Sequence, residues 1–212
     1  MLRAQFILCN QMVAKANGTL SFEVKNGVVK NKVKKNSGGT TIKIYIDKIN
    51  ENAKVSLGLA IGEKVLNILW NKDGYEYCKN KLEMCWLWLK GEYIEIDEFL
   101  DCLDSPTLKD LVYYTSNESN PIVQQVYGIF IEIVSYTAVQ AIDKAQAGGV
   151  PEYLEEVDDN YLLSLINLVL KLGYFKEEDM NRVIEYLESK YLVDSDIQHS
   201  NISKEEIVNI LM

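Results

Sequence analysis

Residues Pro121 to Ala147 read PIVQQVYGIFIEIVSYTAVQAIDKAQA, and the fold turns on how this stretch is taken. Asn120 is placed to cap a helix, Pro121 suits its first position, and Gly148-Gly149 stops the run. Ile122, Val126, Ile129, Ile133 and Tyr136 recur at spacings of three and four, and Val123, Tyr127, Phe130, Val134, Ala138 and Ala141 fill the adjacent stripe. A helix apolar over so much of its circumference must be covered on more than one side. At 1.5 Å per residue it would run roughly 40 Å, long enough to cross a membrane. Glu132 at its centre, with Gln124, Gln125 and Gln140, argues against a membrane span. The stretch is therefore read as the central helix of a helical domain.

Working outward, the chain of 212 residues is 48% hydrophobic, enough for one sizeable core with a small appendage. Its three prolines suit long helices, and Cys9, Cys78, Cys85 and Cys102 form no CxxC pair. They read as buried free thiols in a reducing compartment. The apolar run Phe6 to Cys9 is too short for a signal peptide, so a cytoplasmic location is expected.

Before the central stretch the hydrophobic period changes from two to about 3.6. Leu20, Phe22 and Val24 alternate in residues 19–25, and Asn26-Gly27 is a hairpin signal. Val28 to Lys35 gives the return strand and Thr40 to Ile46 a third. From Asn50 the helical pattern takes over. Helices are expected over about 51–71, 75–89 and 97–103, then over 107–114 behind Ser105-Pro106. After the central helix, Tyr161 to Leu172 is capped by Gly173, Lys176 to Tyr191 follows, and Ser203 with Glu206 makes a capping box for the last helix. The expected fold is mainly α: a helical bundle around one long central helix, with a small N-terminal antiparallel β-meander. Residues 1–48 form the basic β-rich segment and 49–212 the acidic helical domain.

Charge follows the same division. The net charge is −9, but residues 1–50 carry nine basic and two acidic side chains, +7, which leaves −16 for the rest. An acidic surface repels nucleic acid and anionic membrane and steers a basic partner, although acids also serve simply as a solvated surface. The basic strands lack the interleaved aromatics of a nucleic-acid platform.

Catalytic chemistry is poorly supplied. His199 is the one histidine, and it stands among polar residues. There is no GxSxG, no phosphate loop, no dinucleotide fingerprint and no zinc spacing. Asp194, Asp196 and Glu205 fit positions of a calcium loop, but His199 occupies the place of its required glycine. Carboxylates alone could still serve acid–base or magnesium chemistry, through Glu95, Asp97, Glu98 and Asp101 or through Glu152, Glu155, Glu156, Asp158 and Asp159. The same carboxylates suit a basic partner. Tyr93, Tyr113 and Tyr114 near them could anchor an interface, as could the tryptophans, although core filling accounts for such residues too. Trp86 and Trp88, two apart, cannot share a helical face.

The order of these features resembles the sixth class of immunity proteins of bacterial polymorphic-toxin and contact-dependent growth inhibition systems. The resemblance rests on LGLAIGEKVLNILW at 57–70, LEMCWLWL at 82–89, IDEFLD at 96–101, the long helix, GVPE at 149–152 and VDD at 157–159. It covers about residues 50–172 and has no counterpart for residues 1–48. It implies an all-helical, non-enzymatic cytoplasmic antidote without cofactor or metal. Such a protein binds the C-terminal domain of a cognate toxin, often a nuclease, and blocks its active site. From charge, the expected contact residues are Glu95, Asp97, Glu98, Asp101, Glu152, Glu155, Glu156, Asp158 and Asp159, with Tyr113 and Tyr114. A generic helical adaptor and a carboxylate-dependent metal enzyme are the alternatives.

Overall fold

The computed structural model describes residues 46–105, 109–193 and 202–211, together with the backbone of residues 23–25 and 28–30. Eight α-helices lie among the described residues: α1 Glu51–Leu66, α2 Tyr75–Leu89, α3 Ile96–Leu103, α4 Leu111–Asn117, α5 Pro121–Ala145, α6 Asp159–Lys171, α7 Glu177–Lys190 and α8 Lys204–Leu211. The strands β1, Glu23–Lys25, and β2, Val28–Lys30, pair antiparallel with Val24 opposite Val29. The remainder of the expected meander lies outside the described residues, as do Cys9 and His199.

The bundle is organised around α5. Asn120 accepts from the amides of Ile122 and Val123 at 3.0 and 3.4 Å, with Pro121 opening the helix. The helix stops at Ala145, ahead of the glycines, because Gln146 takes the left-handed conformation at φ 50°. The Ala147 amide then reaches back to the carbonyl of Ile142. By length and composition α5 could cross a membrane, yet 83% of its apolar window is buried inside the protein. Its neighbours α1, α2, α3, α4 and α6 supply that cover.

Helix α1 is capped by Asn50, which accepts from the Ala53 amide at 3.0 Å, and Ala53 to Gly62 are all buried. It gives way at residue 67 to the 3-10 turn Asn67–Leu69, short of the expected end at 71. Gly62 is where α1, α2 and α5 meet most closely: an added Cβ would stand 2.8 Å from Leu82 and 3.1 Å from Ile133. Gly74 opens α2 under the ring of Tyr127, where an added Cβ would meet the ring at 2.6 Å. Its amide donates to the Tyr127 hydroxyl at 3.2 Å. Both Trp86 and Trp88 are buried, each against its own partner. The Trp86 indole donates to Glu63 at 3.0 Å, and Trp88 meets Phe99 of α3 edge-on at 6.3 Å.

Helix α4 begins four residues later than the sequence pattern suggests. The carboxylate of Asp110, not Ser105-Pro106, sets its start: Asp110 accepts from the Tyr113 amide at 2.6 Å and from the Ser105 amide at 2.9 Å. Beyond α5, Asp158 caps α6, and Gly173 at φ 73° ends it, as expected. One half of the capping box before α8 forms: the Glu206 amide donates to Ser203 at 3.3 Å, while the Glu206 carboxylate turns to Tyr186 and Lys190. Lys204 ties α8 to α1 and α2 through Glu63 at 2.6 Å and Glu83 at 3.1 Å.

Ile46 and Ile49 sit fully buried in the helical core. A backbone seam joins this entry to the end of α7. Ile49 bridges Leu192, the Asn50 amide donates to the Tyr191 carbonyl, and the Val193 amide donates to the Lys48 carbonyl, both at 2.9 Å.

Candidate partner-binding surface

The acidic residues fall into three settings. Glu95, Asp97, Glu98 and Asp101 are exposed, on α3 and its approach. The apolar face of α3, carrying Phe99, Cys102 and Leu103, packs inward, so its carboxylates must point out. Acids in a first helical turn are favoured by the helix dipole, which fits Asp97 and Glu98.

Glu152, Glu155, Glu156 and Asp158 are exposed in a connection that is not helical beyond the 3-10 turn Glu152–Leu154. Its buried anchors are Leu154 and Val157. The turn lies close to the C-terminal end of α3. Tyr153 is held above its usual pKa by burial and then by the charges of Asp104 and Asp101. Of the first acidic segment, Asp101 is the member whose charge reaches this turn. Asp158 spends part of its carboxylate on the cap, accepting from Asn160 at 2.9 Å and Tyr161 at 3.1 Å.

Asp159 is different from the other acids. It pairs with Lys54 of α1 at 2.8 Å and accepts from the Tyr136 hydroxyl of α5 at 2.9 Å. Glu51 completes the group, pairing with the same ammonium at 2.8 Å. Burial pulls the Lys54 pKa down, but its bonds to Asp159 and Glu51 outweigh that and hold it up. Asp159 therefore works as a joint between three helices, and the i, i+4 face it would share with Glu155 does not exist because α6 starts at Asp159 itself.

The tyrosines expected to join the acids form a stack of their own beside the N-terminal half of α5. Tyr114 lies between Tyr77 and Tyr127, at 5.4 and 5.7 Å, and Tyr113 meets Tyr114 edge-on at 5.6 Å. Tyr114 and Tyr127 are packed, and burial pushes the Tyr127 hydroxyl up to about 12. Tyr113 is 40% exposed, with the Lys109 ammonium 5.3 Å over its ring. Trp70, 64% exposed, stands edge-on to Tyr75 near the same end of the bundle.

A cleft of about 570 Å³ opens at the other end of α5, between its last turns and the loop joining α2 to α3. Trp88, Glu92, Tyr93, Glu95, Asp97 and Lys144 line it. Glu92 and Lys144 were not among the expected contact residues. The acidic–aromatic run GEYIE at 91–95, directly after the tryptophan helix, was the available signal for Glu92. Lys144 had none, since only the packing of α5 brings it there.

The sequence profile of the family described as Immunity protein Imm6 matches residues 53–172. The chain belongs to the Imm6 family. This places it among the immunity proteins of polymorphic-toxin systems, as the resemblance of residues 50–172 implied. The Imm6 region takes in α1 to α6, the cleft and both acidic segments, and leaves residues 1–52, α7 and α8 outside it. No curated protein and no solved structure matches the chain.

The three described cysteines of this Imm6 protein are free and buried. Burial pushes the thiols of Cys78 and Cys85 well up and that of Cys102 up to about 11, so they are poor nucleophiles. Among the described residues no group of three or more His, Cys, Asp or Glu side chains is arranged to hold a metal ion.

Proposed function

We propose that this Imm6 protein is a cytoplasmic antidote that binds a basic nuclease toxin domain and blocks its active site. The observation that carries this reading is the Imm6 match together with the −16 charge outside the first fifty residues. A nuclease active site must attract a polyanion, so its cleft is basic. An acidic helical surface competes for that cleft by charge and arrives quickly through electrostatic steering. No turnover is needed, because occupancy alone keeps nucleic acid out. The contact face is formed by Glu95, Asp97, Glu98 and Asp101 with Glu152, Glu155, Glu156 and Asp158, and Asp159 supports that face from within. Tyr113 lies to one side and is a secondary contact.

Co-expression with the toxin domain encoded beside this chain is the test. Growth rescue and co-purification are the expected results, and failure of both sinks the antidote reading in favour of an adaptor. Charge reversal of Glu155, Glu156 and Asp158 should slow association about tenfold and flatten its salt dependence. Unchanged kinetics would mean that the contact face is elsewhere.

A further inference from the structure

The cleft at the C-terminal end of α5 shares Glu95 and Asp97 with the proposed contact face, but charge alone does not explain its aromatic residues Trp88 and Tyr93. It is concave, and at about 570 Å³ it falls within the range of small-ligand pockets. Its floor is Trp88, 8% exposed and braced by Phe99. On its rim stands Tyr93, 81% exposed, although large aromatic side chains are costly to leave in water. Tyr93 and Glu95 line the cleft together, and the neighbouring Glu95 carboxylate holds the Tyr93 hydroxyl above its usual pKa. Glu92, Glu95 and Asp97 face one base, Lys144. Among the described residues none of the three carboxylates is in an ion pair. Lys144 lies with its ammonium 5.3 Å over the Trp88 ring. The fold itself therefore already seats a cation on the aromatic floor, while among the described residues no ion pair neutralises the carboxylates.

We propose that this cleft is a receptor for an arginine side chain presented by the bound toxin, the guanidinium stacking on Tyr93 and donating to Glu95 and Asp97. Arginine fits better than lysine for a geometric reason. Its planar, weakly hydrated guanidinium can lie flat on an aromatic face while its edge donates to two carboxylates at once. An ammonium is a point charge, and the chain's own Lys144 already occupies the Trp88 face. The toxin as source of the arginine rests on the reading above, whereas the cleft's preference for a guanidinium does not.

The two can be tested separately on the full chain. The peptide acetyl-Gly-Arg-Gly-amide is titrated at low salt, with the Trp88 indole resonance as readout. Saturable binding is expected, at least threefold tighter than for the lysine analogue. Glu95→Gln with Asp97→Asn should weaken it about tenfold, and Tyr93→Ala about threefold, with melting temperature unchanged. Glu177→Gln with Glu178→Gln, an exposed acidic pair on α7, serves as control and should change it less than 1.5-fold. Equal loss in both double variants, or equal binding of the two peptides, overturns the receptor. A rise in affinity above threefold on Lys30, Lys32, Lys34 and Lys35→Gln would show that the chain's own basic segment fills the cleft, which overturns the toxin as occupant. Growth rescue in the co-expression assay is scored independently, so a chain that binds the arginine peptide but fails to rescue refutes the antidote reading alone.

Discussion

The two ends of α5 use aromatic residues in opposite ways. At the N-terminal end Tyr114 stacks on Tyr127 and packs at a tilt against Tyr77, and Tyr127 also holds the turn before α2 through the Gly74 amide. Lys72 and Glu118 pair across the same end at 3.6 Å. Each of these groups has a partner within the chain. At the C-terminal end Tyr93 projects into solvent beside three carboxylates that no described base neutralises. Composition alone would rank the tyrosine stack as the better interface, since tyrosine is enriched in hot spots. The structure shows that the stack is already spent on holding the fold, while the lone tyrosine is not.

Four substitutions along this axis would break or sharpen the contrast. The largest effect belongs to Tyr127→Ala. Loss of the ring beneath Tyr114 and of the bond from Gly74 should cost about 3–5 kcal/mol in denaturant unfolding, and toxin binding by the folded fraction should be unchanged. A cost under about 1 kcal/mol would mean that the stack is not architectural.

Midway along the helix, Glu132 is buried with one carboxylate oxygen unpartnered, and burial raises its pKa to about 8. The folded state thus binds a proton that the unfolded chain releases near pH 4.5. Stability from this group is full below that pH and is lost as pH rises to about 8. Glu132→Gln should therefore stabilise by on the order of 2–3 kcal/mol at pH 7 and by almost nothing at pH 4.5. A gain independent of pH in thermal melts would refute the buried-acid account.

Asp159→Asn leaves Lys54 with Glu51 alone. Because both acids are partly exposed, the expected loss is about 1–2 kcal/mol, and the toxin association rate should hardly move. A selective loss of binding with stability intact would return Asp159 to the contact face. The smallest stability effect is that of Tyr93→Ala, within about 0.5 kcal/mol. Its toxin complex should nevertheless dissociate several times faster, the reverse of the Tyr127 result.

Local signals in the sequence were enough for much of this architecture. Asn120-Pro121 opens α5 as read, and Asp73-Gly74 sets the start of α2, because caps and turns are written in adjacent residues. Gly173 closes α6 for the same reason. Helix α4 starts at Leu111 and not behind Ser105-Pro106 because Asp110 caps it through the Tyr113 amide, and the bond of Asp110 back to the Ser105 amide, which holds it there, is not visible in the sequence. For the proposed contact face, the sequence supplies a charge sign and two acidic segments, 95–101 and 152–159. The packing brings Tyr153 of the second segment within reach of the charges of Asp104 and Asp101. What the sequence could not show is which acids are free. Asp159 looks like its neighbours, and its partner Lys54 lies 105 residues away. Lys144 reaches the cleft only once α5 is packed against the α2–α3 loop.

The seam at Ile49 and Leu192 has a mechanical consequence. Two backbone bonds, from Asn50 to Tyr191 and from Val193 to Lys48, lie across the chain where it enters the helical body. A pull applied at Lys48 loads this pair as well as the start of α1. Part of the tension then passes to the end of α7, outside the Imm6 region. The first residues of the helical body and the last turn of α7 are thus one mechanical unit, although 140 residues of chain separate Lys48 from Glu188, which also pair by side chain.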